Sequence, residues 1–143
     1  VVGEVRGKEA LELLNSFNTG HDGGLSTGHG NSPADMLARL ETMVLMGADL
    51  PLDAIRSQIA SALDILIHLG RLRDRSRKVL WITEVDGYEK GGIRLHPLYE
   101  FREEQNHEDV GDGKEREKPV LGSLQKTGEL RHQEKLRTAG ETL

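Results

Sequence analysis

The residues best equipped for chemistry stand near the start of the chain: Glu4 with Arg6, then His21 with Asp22, then His29. Glu4 closes on an apolar, β-branched run, Val1-Val2-Gly3-Glu4-Val5, of the kind that ends a buried parallel strand. In open α/β sheets ligands bind beyond the carboxyl ends of the strands, so a carboxylate there can face a nucleotide. An ordinary exposed acid at a strand end has the same pattern, and the residues alone leave both readings open. Arg6 can steady Glu4 or a phosphate, or form a surface ion pair.

His21 and His29 lie in a glycine-rich stretch, Gly20 to Gly30, where backbone can approach a ligand closely. Metal binding with Asp22 and simple turn hydrogen bonding both remain open for them. The eight-residue separation of the two histidines matches no recognised zinc spacing. Gly20, Gly23, Gly24, Gly28 and Gly30 form neither a dinucleotide fingerprint nor a phosphate loop; they permit an irregular backbone. His68, His96, His107 and His132 have no supporting context and read as structural or solvated. Met36, Met43 and Met46 read as helical core rather than a ligand groove.

The elements that must position these groups follow from apolar spacing. After Lys8 the period becomes helical, with Ala10, Leu11, Leu14 and Phe17 on one face and a stop at Thr19-Gly20. Leu25 to His29 reads as a short strand. Ser32-Pro33-Ala34-Asp35 starts a helix through a serine cap and an S-x-x-D box, with the stripe Met36, Leu37, Leu40, Met43 and Val44 ending before Gly47. Pro51 opens another helix, carrying Leu52, Ile55, Ile59 and Leu63. Strands follow over Asp64–Leu72, Lys78–Val85 and Ile93–Phe101, with turn signals at Asp86-Gly87 and Gly91-Gly92. That order predicts an antiparallel meander beside a parallel, helix-flanked sheet. Arg102 to Lys118 is charged and linker-like; a strand over Val120–Leu124 and a short helix near Glu134–Arg137 close the chain.

Composition narrows the function. A net charge of −5 over 143 residues argues against nucleic acid as a partner. The basic run Arg71-Leu72-Arg73-Asp74-Arg75-Ser76-Arg77-Lys78 reads as a solvated hairpin. With no cysteine there is neither a disulfide framework nor thiolate chemistry, which suits the cytoplasm. Only five aromatic residues are present, so the core must be aliphatic. No apolar run reaches the ~20 residues of a spanning helix. The chain begins Val1-Val2-Gly3 without an initiator methionine and reads as cut within a strand.

Several stretches, taken in order, resemble the type II/IV secretion ATPase superfamily and, within it, the Flp (tight-adherence, Tad) pilus-assembly branch. Val1-Val2-Gly3-Glu4-Val5-Arg6-Gly7 resembles the Walker B strand with its acidic end. Asn18-Thr19-Gly20-His21-Asp22-Gly23 through His29-Gly30-Asn31-Ser32-Pro33 resembles the histidine box. Arg39-Leu40-Glu41-Thr42-Met43-Val44-Leu45-Met46 and Ile55-Arg56-Ser57-Gln58-Ile59-Ala60-Ser61-Ala62 match the helices that follow. Arg71-Leu72-Arg73-Asp74 and Ile82-Thr83-Glu84-Val85 match the strands after them. Similarity runs to Phe101 and resumes at Thr127-Gly128 and Leu136-Arg137-Thr138-Ala139-Gly140. Gly28 and Gly30 replace a branched apolar residue and an alanine, which predicts a softer backbone around His29. The segment Glu129 to Gln133 is more polar than the family pattern and one residue short, leaving its docking open.

The resemblance implies an α/β fold, the C-terminal half of a RecA-like P-loop NTPase domain, with residues 1–101 in the motor, 102–118 as linker and 119–143 as tail. It implies ATP and Mg²⁺ as ligands. Glu4 would be a catalytic carboxylate acting on the attacking water directly or through Mg²⁺, His29 a catalytic γ-phosphate sensor, and Arg6 and His21 nucleotide-binding groups. It implies a homo-oligomer, expected as a hexamer, at the cytoplasmic face of the inner membrane, engaging membrane-embedded pilus or secretion platform proteins. The phosphate loop G-x-x-x-x-G-K-[ST] is absent from these residues, so the chain alone is expected to be inactive. Two alternatives stay open: a catalytically silent interaction module, and a metal-dependent hydrolase using His21, Asp22 and His29.

Overall fold

The helical half follows from apolar periodicity, and the sheet half from β-branched runs separated by glycine turns. A computed structural model describes residues 1, 3–19, 23–104 and 119–141. Helix α1 spans Ala10–Asn18 and buries Ala10, Leu13 and Leu14. The carboxylate of Glu9 holds the turn before it, accepting from the backbone N–H groups of Arg6 (2.8 Å) and Gly7 (3.1 Å). Helix α2 spans Pro33–Gly47. The Ser32 hydroxyl accepts from the Asp35 N–H at 3.1 Å, and the Asp35 carboxylate accepts from the Asn31 N–H at 2.7 Å, so the entry to α2 is tied on both sides. Helix α3, Leu52–Ala62, buries Ile55, Ile59 and Ala62.

These helices share one aliphatic core with Val5, Leu37, Leu40, Met43 and Val44, and Leu66, Ile93 and Leu95 of the sheet pack against it. Met43 is buried and Met36 packs on the core, but Met46 is 71% exposed. It stands off the Leu40–Val44 stripe in the last turn of α2, so only part of the methionine set is core.

Strands β1 (Ile65–Arg71), β2 (Arg77–Glu89), β3 (Gly92–Glu103) and β4 (Gly122–Lys126) form an antiparallel sheet in sequence order. The meander is thus observed, and the fold is α/β. Of the expected parallel element, the described residues show a parallel bridge between Glu4 and Thr27.

Asp86-Gly87 does not turn the chain. Val85 pairs with Leu95 and Tyr88 with Ile93, so two residues of β2 oppose one of β3 in a β-bulge, with Gly87 at φ 97°. The reversal comes later, at Lys90-Gly91 between Glu89 and Gly92. The basic run forms the β1–β2 hairpin, where Arg73 pairs with Glu103. The last strand begins at Gly122 rather than Val120, because Val120 is buried and its N–H donates to the Asp74 carboxylate at 2.7 Å. Helix α4 spans Glu134–Thr138. No helix among the described residues is long and apolar enough to cross a membrane.

Candidate functional site

Glu4 and His29 come together. The bridge to Thr27 fixes their approach: the Val5 N–H donates to the Thr27 carbonyl at 2.9 Å, and the Ser26 hydroxyl donates to the Gly3 carbonyl at 2.8 Å. Val5 is 3% exposed and anchors the Glu4 segment in the core, a burial contributing about 1.5–3 kcal/mol. On the other side the His29 loop lies flat on the start of α2. A Cβ at Gly30 would come within 3.0 to 3.1 Å of the Met36 backbone, and one at Gly28 would meet the Met36 methyl at 2.4 Å. Gly30 therefore meets backbone, which a larger residue would crowd, whereas at Gly28 the neighbour is the mobile end of the Met36 side chain, which can move aside.

At the meeting point His29 Nε2 lies 2.7 Å from Glu4 Oε1, and an Arg6 guanidinium nitrogen lies 2.5 Å from Glu4 Oε2. The Arg6 hydrogen bond, with the charges of Arg6 and His29 behind it, holds the Glu4 carboxyl below the usual carboxylate range, against a smaller opposing effect of burial. Glu4 in turn raises Arg6. Such a carboxylate stays ionised at neutral pH and is a weak proton acceptor, so it is better suited to orienting a neighbour than to removing a proton. Arg39 of α2 joins Glu4, Val5, Arg6 and His29 around an open pocket of about 240 Å³. One carboxylate among two guanidinium groups and an imidazole favours an anion.

The donor set does not suit Mg²⁺, which takes oxygen ligands at short range. Both oxygens of Glu4 already face Arg6 and His29, and no group of three histidine or carboxylate side chains among the described residues could hold a metal ion. His21 and Asp22, expected near the phosphate or a metal, lie outside the described residues, as does His107.

A second polar cluster was not singled out by sequence. Glu84, 1% exposed, accepts from the backbone N–H groups of Arg131 (3.0 Å) and His132 (2.8 Å). The bulge turns Asp86 to the same segment, where its carboxylate meets Arg131 at 2.6 Å and His132 Nε2 at 2.9 Å. Burial pushes Asp86 up, but the His132 and Arg131 hydrogen bonds and the nearby Arg94 hold it below its usual value. His96 Nε2 lies 3.0 Å from the Glu129 carbonyl. The polar segment from Glu129 to Gln133 thus docks through its backbone and charges. The signal available in the sequence was an acid inside an apolar strand, Ile82-Thr83-Glu84-Val85, which must find donors once buried. His68 stands against Trp81 with ring centroids 5.3 Å apart. No spacing pattern marks Arg39.

The family profile described as type II/IV secretion system protein matches residues 1–116. A Mycobacterium tuberculosis protein named for conjugal transfer is 44% identical over 83 residues, covering 58% of this chain and 23% of that protein. The conjugal transfer protein TrbB of Rhizobium radiobacter is 33% identical over 106 residues, covering 74% of this chain and 32% of its own length. The type IV secretion system protein PtlH of Bordetella pertussis is 33% identical over 92 residues, covering 61% of this chain and 27% of PtlH. The chain spans about a quarter to a third of the length of these curated relatives.

Proposed function

Because the chain belongs to the type II/IV secretion system protein family, we propose that it is the C-terminal part of the motor domain of an ATP-hydrolysing secretion, conjugal transfer or pilus-assembly machine. The observation that carries this reading is the Glu4–His29 contact at 2.7 Å, which joins two separate polar motifs in one anion-suited pocket. A motor needs its hydrolytic water and its phosphate contact at one place, and these two residues supply candidates for both.

The substrate is ATP as its Mg²⁺ complex, the cation arriving with the phosphates. Hydrolysis joins the water oxygen to the terminal phosphorus while the bond to the bridging oxygen breaks; ADP leaves with that electron pair, and one proton passes to solvent. Glu4 orients the water through its carboxylate. His29 contacts the terminal phosphate and, bound to Glu4, couples the two events. Arg6 keeps Glu4 ionised, and His21 is assigned to the same nucleotide from its place in the motif. The phosphate loop, absent from these residues, would be supplied by the rest of the motor.

The finer assignments rest on the quoted sequence motifs: the Flp pilus-assembly branch, a hexamer, a Walker B identity for the Val1–Val5 run, and a peripheral site on the cytoplasmic face of the inner membrane beside platform proteins. Residues 1–101 belong to the motor, 102–118 to a linker and 119–143 to a tail. The test is Glu4→Gln in the complete protein. Nucleotide should still bind while turnover falls at least ~10²-fold, the span of a lost group acting on the reacting water. Turnover like wild type would reduce Glu4 to an ordinary surface acid.

A further inference from the structure

We infer that Arg39 is a further substrate-contacting residue of this site, its guanidinium taking the terminal phosphate of the bound nucleoside triphosphate. The inference rests on the motor reading and extends it to a side chain that lies in a family-like helix stretch but to which the sequence assigns no role.

Arg39 projects from α2 into the pocket lined by Glu4, Val5, Arg6 and His29. It has no hydrogen bond or ion pair with any described residue. The other arginines near structural carboxylates behave differently. Arg56, on the neighbouring helix, grips Glu41 of α2 through two hydrogen bonds at 2.9 and 3.2 Å, which staples α2 to α3. Arg6 is spent on Glu4, and Arg131 on Asp86. Arg39 is therefore an unspent fork beside the one carboxylate of the pocket, and both oxygens of that carboxylate are already occupied. A guanidinium there pairs best with an arriving anion that presents two oxygens on one centre, as a phosphate does. If Glu4 orients the water that attacks the terminal phosphorus, the cation sharing its pocket lies against that same phosphate. Charge building on the equatorial oxygens during transfer is what such a group stabilises.

The experiment compares Arg39→Ala, Arg39→Lys and Glu4→Gln in the complete protein. Steady-state turnover is measured beside the affinities for ADP and for a non-hydrolysable ATP analogue. Arg39→Ala should lose about tenfold in affinity for the analogue, keep its ADP affinity, and turn over on the order of 10²-fold more slowly, the usual loss of one preorganised charge donor. Arg39→Lys should recover part of the analogue affinity, because it keeps the charge without the fork. A purely structural arginine would shift ADP and analogue binding together, and that outcome overturns the assignment. Wild-type turnover in Arg39→Ala, with Glu4→Gln inactive, overturns Arg39 alone. Unimpaired turnover in Glu4→Gln removes the premise that Glu4 orients the water and overturns this inference, whereas no ATP turnover by the wild-type complete protein overturns the motor reading itself. If Arg39→Ala fails to fold, Arg39→Lys decides by the same ratio of analogue to ADP affinity.

Discussion

The backbone N–H of His132 donates to Glu84 at 2.8 Å across 48 residues of sequence, and the side chain of the same histidine reaches Asp86 at 2.9 Å. A buried carboxylate and a tail backbone thus hold each other in place. The Arg131 N–H shares that carboxylate at 3.0 Å.

Glu84→Ala should release this segment. It leaves two N–H groups without their acceptor, at about 1–3 kcal/mol for each that stays buried. Hydrogen exchange at the Arg131 and His132 amides should speed up markedly, while exchange in α2 changes little. Equal acceleration in both places would mean that Glu84 supports the whole fold rather than the tail.

Acid should weaken the sheet end through depressed aspartates. Hydrogen bonds from the Val120 N–H first, then the Ser76 hydroxyl and N–H, lower Asp74 from 3.8 to about 2. Asp86 is lowered as well. A carboxyl depressed in the folded state contributes stability above its unfolded value and loses it as pH falls toward the folded one, because the unfolded chain takes up the proton first. The stability gap between wild type and Asp74→Asn should therefore be full near about pH 5 and shrink between 3.8 and about 2. Urea unfolding across that window measures it; a gap that widens on acidification would contradict the hydrogen-bond assignment.

His29→Ala in the complete protein is expected to lose most ATP turnover while ADP affinity stays within about twofold, since the phosphate loop would supply most of the binding. His21→Ala, beside Asp22 and Gly23 in the sequence, should cost about tenfold, or roughly 1.4 kcal/mol of barrier. Turnover of His29→Ala equal to wild type would remove it from the mechanism.

The chain by itself should bind ATP weakly. It holds Glu4, Arg6, His29 and Arg39 in one pocket but has no G-x-x-x-x-G-K-[ST] run to cradle the phosphates. Calorimetry with Mg²⁺ present should give no micromolar affinity; a tight isotherm would show that these residues suffice without a phosphate loop.

Local patterns in the sequence were enough for the helices and most of the meander. The Ser32-Pro33 start, the Leu37–Leu40–Val44 stripe and the Ile55–Ile59 repeat are each written within a few turns of chain, where spacing alone dictates the buried face. Glu4 and His29 were likewise legible one at a time, as a carboxylate after an apolar run and a histidine among glycines. Their contact was not, because it depends on the Glu4–Thr27 bridge and on glycines lying against Met36. Asp86-Gly87 carries the letters of a turn, yet the register of β3 makes it a bulge that aims Asp86 at the tail. Arg39 reads as one more charge on a helix surface until the fold brings Glu4 and His29 beside it. Spacing along the chain fixes which face of a segment is apolar; only tertiary packing decides which polar groups from distant segments share a pocket, and those long-range meetings make both the candidate site and the docked tail.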